Sequence, residues 1–274
     1  MRIERAFMHP ARRLLARMNP KADLIRATEQ GQLDLVYQPV VDLDGGEIQG
    51  WEALVRWQHP DRGLVSPAEF IPRAKDTGAI LAVGKWVLDR ACEDFANALG
   101  RDGQPGRWVS VNISSQELLE LDFADSVRES LQRWGLEPGS LVLEITEAAV
   151  IGDLARAAGA LASLQRDGVR IALDDFGTAS SSLHYLQELP VDIIKIDRSL
   201  ISISGAGPLR MLEAIVALGN ALGVEMIAEG IEDSAELERV KRFERVSGQG
   251  YYLARPMSLA DARTFTFTFT PLPS

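Results

Sequence analysis

Three apolar runs and the helix after the first of them decide the fold: Leu141-Val142-Leu143-Glu144-Ile145, then Arg170-Ile171-Ala172-Leu173 leading into Asp174-Asp175, then Asp192-Ile193-Ile194-Lys195-Ile196. Between the first two runs, Leu154, Ala157, Ala158, Leu161 and Leu164 recur at three- and four-residue steps behind Asp153, an N-cap residue type. The runs are near-continuously apolar rather than alternating. Strands of that kind belong to a parallel sheet whose outer face is covered by helices.

The pattern extends in both directions. Candidate strands upstream are Asp34–Val41, Ile48–Trp57 and Arg107–Ile113; downstream they are Val224–Ala228 and Ser247–Leu253. Helical spacing over Ile80, Gly84, Val87, Ala91, Phe95 and Ala98, and over Leu212, Ile215, Val216, Gly219 and Leu222, fills two of the gaps. Asp233 followed three residues later by Glu236 predicts a further helix start resembling a capping box. The first two strands are split only by Asp44-Gly45-Gly46, a hairpin signal. Eight strands in 274 residues predict an α/β fold, a (β/α)8 TIM-like barrel with an antiparallel first strand. An open doubly wound sheet is the alternative, but no strand here runs into a Gly-rich phosphate loop. Residues 1–30 read as an N-terminal linker or helix with no core of its own, and 31–274 as the barrel. The alternating tail Thr264–Thr270 predicts an added edge strand.

Composition sets outer limits. Hydrophobic residues make up 46% of the chain, enough for a full-sized core. The net charge of −10 argues against binding a nucleic-acid polymer, which selects for a basic stripe. The one basic stretch, Arg2, Arg5, Arg12, Arg13, Arg17 and Lys21, reads as a solvated helix face. The single cysteine, Cys92, lies in an apolar run and predicts a buried, inert thiol. With no run of 18 apolar residues and no signal-like start, the expected location is the cytoplasm, or the cytoplasmic part of a larger protein.

Polar residues fall at the C-terminal ends of successive strands, where barrel active sites are assembled. Glu52 follows Gly50-Trp51, Asn112 follows Val109-Ser110-Val111, and Glu144 and Glu147 end the 141–145 strand. Asp174 and Asp175, Lys195 and Asp197, Glu229 and Glu232, and Gln249 follow in turn. Converging carboxylates cannot all remain ionised without cations among them. Five acids and an Asn oxygen form a hard donor set that suits Mg²⁺ or Mn²⁺ better than Zn²⁺. His9, His59 and His184 lie away from these strand ends. The residues alone point to metal-dependent hydrolysis of a phosphoester.

Ordered motifs then resemble a known family. Tyr37-Gln38-Pro39-Val40 and Trp51-Glu52-Ala53-Leu54-Val55-Arg56-Trp57 resemble the signature of EAL-domain cyclic di-GMP phosphodiesterases. The likeness continues through Ser66-Pro67-Ala68-Glu69-Phe70-Ile71-Pro72, Val111-Asn112-Ile113-Ser114 and Glu144-Ile145-Thr146-Glu147. It runs on through Asp174-Asp175-Phe176-Gly177-Thr178, Lys195-Ile196-Asp197-Arg198-Ser199, Ala228-Glu229-Gly230-Ile231-Glu232 and Gln249-Gly250-Tyr251.

The resemblance implies a homodimeric enzyme that linearises cyclic di-GMP to pGpG with two divalent cations, Mg²⁺ or Mn²⁺. It implies Glu52, Asn112, Glu144 and Asp174 as ligands of one ion and Asp174, Asp175 and Glu229 as ligands of the other. Lys195 would hold the nucleophilic water, with Glu229 open as a general base, and Glu52, Lys195 and Glu229 are the catalytic candidates. Arg56 would grip a phosphate, while Gln38, Leu54, Asp197, Glu232 and Gln249 would line the nucleotide. Glu147 would fasten the loop after Asp175. An upstream sensory or GGDEF-type module is also implied. A receptor that binds cyclic di-GMP without hydrolysing it, and a hydrolase of another phosphodiester, are the competing readings. Two departures stand out. Ala179 occupies the second glycine position of the usual Asp-Phe-Gly-Thr-Gly loop, which predicts a strained loop if that position needs positive φ. Phe243–Gly248 replaces a more usual Gly-Cys-Asp-Tyr-like stretch.

Overall fold

In a computed structural model, residues 20–100, 106–150, 153–177, 182–202 and 206–268 are described. The expected hairpin is present: β1 (Leu33–Asp42) and β2 (Ile48–His59) pair antiparallel, and Asp42 accepts the Gly45 N–H at 2.9 Å to tighten the turn. The short β3 (Gly63–Val65) extends the outer end of β2. From β2 the sheet continues in parallel through β4 (Trp108–Asn112), β5 (Leu141–Thr146), β6 (Arg170–Phe176), β7 (Ile193–Ile196), β8 (Glu225–Ala228) and β9 (Val246–Gly248). β9 meets β1 antiparallel, so eight strands close into a barrel with one reversed strand, and β10 (Met257–Ser258) adds to β1.

Helices cover the outer face: α1 (Pro20–Glu29), α2 (Pro67–Thr77), α3 (Ile80–Asp94), α4 (Ser115–Leu118), α5 (Phe123–Trp134) and α6 (Glu147–Val150). They continue as α7 (Leu154–Arg166), α8 (Ser182–Glu188), α9 (Arg198–Ser202), α10 (Ala206–Leu222), α11 (Ser234–Val240) and α12 (Leu259–Ala262). Asp153 caps α7 through the Arg156 N–H, as the sequence predicts. At α11, Asp233 accepts the Glu236 N–H, but the Glu236 carboxylate reaches back to the Glu232 N–H instead of closing the box on Asp233. None of the described helices is long and apolar enough to cross a membrane. Cys92 is buried, and burial pushes its thiol up to about 12.

The barrel interior is built in two layers. Val40, Trp108, Val142, Ala172, Ile193 and Ile227 form a separate buried apolar plug. Side chains on one face of a strand recur every second residue. Two residues nearer the rim at which the parallel strands end, the same face therefore presents Gln38, Ser110, Glu144, Asp174, Lys195 and Glu229. The plug depends on Gly50, where an added Cβ would lie 2.3 Å from Cδ2 of Trp108.

Between barrel and helices lies the larger core, and here two expectations change. Leu24 and Ala27 of α1 are 1% and 0% exposed and belong to this core, although residues 1–30 read from sequence as coreless. The three-residue spacing of two apolar side chains is too short a signal to separate a packed helix from a linker. The tail does not form the expected edge strand: no described residue from Thr264 to Thr268 is in a strand, and Phe265 and Phe267 pack on the core instead. Phe265 meets Trp51 edge-to-face at 6.2 Å, so burial of the rings replaces strand pairing. The basic residues Arg2 to Arg17 and the end of the tail from Phe269 lie outside the described residues.

The two-layer interior predicts opposite effects for two glycine substitutions. Gly50→Ala is expected to destabilise the fold by about 1–3 kcal/mol through overpacking on Trp108. Gly159→Ala, in α7 where an added Cβ would meet nothing within 4 Å, is expected to stabilise it by roughly 0.5–1 kcal/mol. Urea unfolding of both variants measures this; an unchanged midpoint for Gly50→Ala contradicts the packing account.

Candidate functional site

The polar layer of the barrel is organised around one buried cation. Lys195 is 1% exposed, and its Nζ lies 2.6 Å from Glu144 Oε2 and 2.6 Å from Glu229 Oε1. Glu52 Oε2 and Asp174 Oδ1 each stand 3.7 Å from the same nitrogen. Burial opposes charge on Lys195, yet Glu144, Glu229, Glu52 and Asp174 together hold its ammonium well above the usual lysine range. The lysine is therefore charged.

Glu52 is fixed from two further sides. Asn112 Nδ2 donates to its Oε1 at 2.8 Å, and Gln249 Nε2 donates to its Oε2 at 2.7 Å. Gln249 also reaches Gln38 Oε1 at 3.3 Å, and Gln38 Nε2 donates to the Ala254 carbonyl at 3.0 Å. Strand pairing supplies this proximity, because Gln38 faces Glu52 across the hairpin and Asn112 pairs with Glu144. Asn112, Glu52, Glu144, Asp174, Lys195, Glu229, Gln38 and Gln249 are thus one cluster.

Asp175 joins the cluster through a backbone irregularity. In a regular strand, successive side chains face opposite ways, so Asp174 and Asp175 would diverge. The β6–β7 register shifts between Leu173 and Phe176, and Asp175 has φ 57°, a left-handed conformation that Asp tolerates better than most residues. One oxygen from each of Asp174, Asp175 and Glu229 then lies within 4.8 Å of the others. Strained backbone of this kind concentrates at functional sites.

Too few cations face these acids. Burial first, then the charge of Glu52, pushes the Glu144 carboxyl up to about 8, against the pull of Lys195. Burial likewise drives Glu229 well above its usual range despite Lys195, and it raises Asp175 with help from Asp174 and Asp197. An all-oxygen donor set that is incompletely neutralised fits hard divalent cations.

The remaining candidates lie around this cluster. Leu54 and Arg56 line a cavity of about 550 Å³ that also reaches Asn112. Arg56 Nη1 donates to the Val55 carbonyl at 2.9 Å. Glu147 is buried at the start of α6, near enough to Asp175 to raise its pKa. Part of the loop it is expected to fasten, including Ala179, falls in 178–181, outside the described residues. Asp197 accepts the Ser199 N–H at the start of α9, and exposed Glu232 pairs with Arg198 at 2.6 Å. Asp197 stands near enough to Asp175 to help raise its carboxyl. The departing segment Phe243–Gly248 carries Arg245 at φ 62°, whose N–H bonds Asp44 in the β1–β2 turn.

Two features escape a reading of the sequence. Tyr251, 51% exposed, carries Arg255 over its ring at 4.6 Å, an arrangement that no sequence spacing announces. Glu117 is buried in the wall of the 550 Å³ cavity. Its Ser114-x-x-Glu117 spacing is a legible capping box, but the cavity is not.

Metal binding to the acid cluster predicts a measurable linkage. A carboxyl whose folded pKa is raised favours folding below its unfolded value, and that contribution is lost as pH rises through about 8 for Glu144. A cation requires the ionised form, so binding is expected to release protons and to tighten as pH rises towards 8. At 100-fold excess over Kd, Mg²⁺ or Mn²⁺ is expected to stabilise the protein by about 2.7 kcal/mol. Asp174→Asn should abolish the shift in thermal midpoint; an equal shift in that variant contradicts this site.

Comparison with known proteins places the geometry in context. The EAL domain family model matches residues 21–256. MucR of Pseudomonas aeruginosa, described as a bifunctional diguanylate cyclase/cyclic di-GMP phosphodiesterase, is 42% identical over 238 residues, covering 86% of this chain and 34% of MucR. The cyclic di-GMP phosphodiesterase NbdA of the same organism is 37% identical over 261 residues, 93% of this chain and 33% of NbdA. The chain therefore spans about a third of these relatives' length. The solved structure of the MucR phosphodiesterase in complex with c-di-GMP superposes with a TM-score of 0.81 at 40% identity, covering 88% of this chain and 98% of that one.

Proposed function

This chain belongs to the EAL-domain family, and on that footing we propose that it hydrolyses cyclic di-GMP to linear pGpG with two divalent cations, Mg²⁺ or Mn²⁺. The observation that carries the reading is the cluster of Glu52, Glu144, Asp174, Asp175 and Glu229 around a buried, charged Lys195. In this reading Glu52, Asn112, Glu144 and Asp174 hold one ion, and Asp174, Asp175 and Glu229 hold the other, with Asp174 shared. The ions, when bound, lower the pKa of a water and offset charge on the phosphodiester.

The chain's own groups supply positioning and proton handling. Lys195 Nζ orients the attacking water, whose oxygen bonds to phosphorus as the P–O3′ bond breaks. Glu229, 2.6 Å from that nitrogen, accepts the water's proton, and the departing O3′ oxyanion takes a proton from solvent to give the linear product. Arg56 makes a charge-assisted contact to phosphate. Gln38 and Gln249 hold Glu52 in place beside the nucleotide, and Leu54, Asp197 and Glu232 border it. Glu147 fastens the loop after Asp175.

The proposal extends to the protein's setting. MucR joins a diguanylate cyclase and a phosphodiesterase in one chain, which supports an upstream GGDEF-type or sensory module here. A cytoplasmic homodimer is part of the same proposal. Retention of every proposed metal ligand favours an enzyme over a receptor that binds without hydrolysis.

Two substitutions separate the roles. Lys195→Ala is expected to lower kcat by about 10²-fold or more while leaving KM within a few-fold, because its partner is the water. Arg56→Ala is expected to raise KM about tenfold or more with a smaller change in kcat. Steady-state formation of pGpG measures both. Binding of cyclic di-GMP by the Mg²⁺- or Mn²⁺-loaded wild type with no pGpG formed would instead establish the receptor.

A further inference from the structure

The β1–β2 hairpin brings no crossover helix to the barrel. Parallel neighbours are joined through helices that cover the sheet, whereas a tight turn leaves the outer faces of its two strands to other segments. The end of the chain supplies part of that cover. β10 pairs with β1 through Tyr37 opposite Met257 and Val36 opposite Ser258, and Ser258 caps α12 by accepting the Asp261 N–H. The Phe265 N–H closes on the Ala262 carbonyl at 3.3 Å, and the Phe265 ring lies edge-to-face on Trp51. The family match ends at residue 256, so the segment from Met257 to Phe265 lies beyond it.

Trp51 is the neighbour of Glu52 on β2. Successive side chains of a strand face opposite ways, so Trp51 points into the packing layer while Glu52 points into the barrel. The indole is 1% exposed, and its Nε1 is buried with no hydrogen-bond partner among the described residues. No polar contact fixes the orientation of this ring, so packing alone must do so. Glu52, in turn, stands 3.7 Å from Lys195 Nζ, beyond hydrogen-bonding distance, and is oriented by the amides of Asn112 and Gln249. Its reach into the cluster therefore depends on where β2 sets its backbone.

Resting on the proposed metal site, we infer that Phe265 is a positioning residue for Glu52, acting through the Trp51 indole from outside the barrel. Groups behind a metal ligand set its place, and a ligand carried on a strand moves with that strand. An edge-to-face pair is directional, so Phe265 restrains the tilt of the indole as well as its depth. Removing the ring opens a void beside a buried N–H that has no acceptor, which admits water to Nε1 and loosens β2 at Glu52. A tail residue beyond the matched family stretch thereby tunes an ion site on the opposite face of the strand.

The test measures Mn²⁺ binding to the metal-free protein by calorimetry, with no substrate present. Phe265→Ala is expected to weaken binding about tenfold, as loss of a group that orients a metal ligand does. Phe265→Tyr keeps the ring and should bind within about twofold of wild type. Val127→Ala, at a buried position of α5, opens a cavity elsewhere in the core and controls for general loosening; it should also stay within about twofold. If Phe265→Ala folds poorly, Phe265→Val, which keeps bulk but no ring, carries the readout with the same expected direction. Unchanged affinity in the folded ring-less variant, failure of Phe265→Tyr to restore it, or an equal loss in Val127→Ala overturns the inference. A wild type that binds no Mn²⁺ overturns the proposed metal site, and this role with it.

Discussion

A buried ammonium among carboxylates is the constraint on which the rest of this structure depends. Lys195 is as inaccessible as the core leucines, and it is tolerated there only because Glu144 and Glu229 contact it directly while Glu52 and Asp174 stand about an ångström further out. Leaving a buried charge without its partner is far more costly than the pair is stabilising. The same lysine is what allows the acids to approach one another. Its single charge is too little for five carboxylates, and the raised pKa values of Glu144 and Glu229 express that deficit. The protein is folded around a shortage of positive charge that divalent cations can make good.

The barrel turns this electrostatic demand into geometry through the two-residue period of its strands. The plug of Val40, Trp108, Val142, Ala172, Ile193 and Ile227 closes the interior, and one further step along each strand delivers a polar side chain above it. β6 adds to that rule. Its bulge, with Asp175 in the left-handed region, gathers two consecutive carboxylates where a regular strand would offer one. The apolar plug also withholds water from the lower side of the polar layer, which sustains both the ion pairs and the shifted pKa values.

This division explains what is legible in the sequence. Polar residues ending apolar strands carry a strong signal, because nothing in a hydrophobic run predicts Lys195 or Glu144 except a site. All eight strands are readable as apolar runs, the reversed first one through the Asp44-Gly45-Gly46 turn, although the last ends at Gly248 and not at Leu253. The tail misleads because Thr264–Thr270 alternates perfectly, yet Phe265 gains more from contact with Trp51 than from strand pairing. Leu24 and Ala27 stay hidden because two apolar positions do not define a face. The bulge at Asp174-Asp175 leaves no trace in residue type, since Asp-Asp is equally at home in a cap. Glu117 is visible as a capping residue, but its place in the cavity wall against Gly84 is a contact between helices that sequence spacing does not encode.

If Lys195 holds the acids together, its charge and not its bulk must be responsible. The most direct test is the metal-free stability of Lys195→Met as a function of pH, measured by chemical unfolding beside wild type. The account predicts that the variant loses stability relative to wild type as pH rises from about 5 to 8, because the buried acids ionise with no cation among them, by several kcal/mol. Metal-free Lys195→Met as stable at pH 8 as wild type would contradict it.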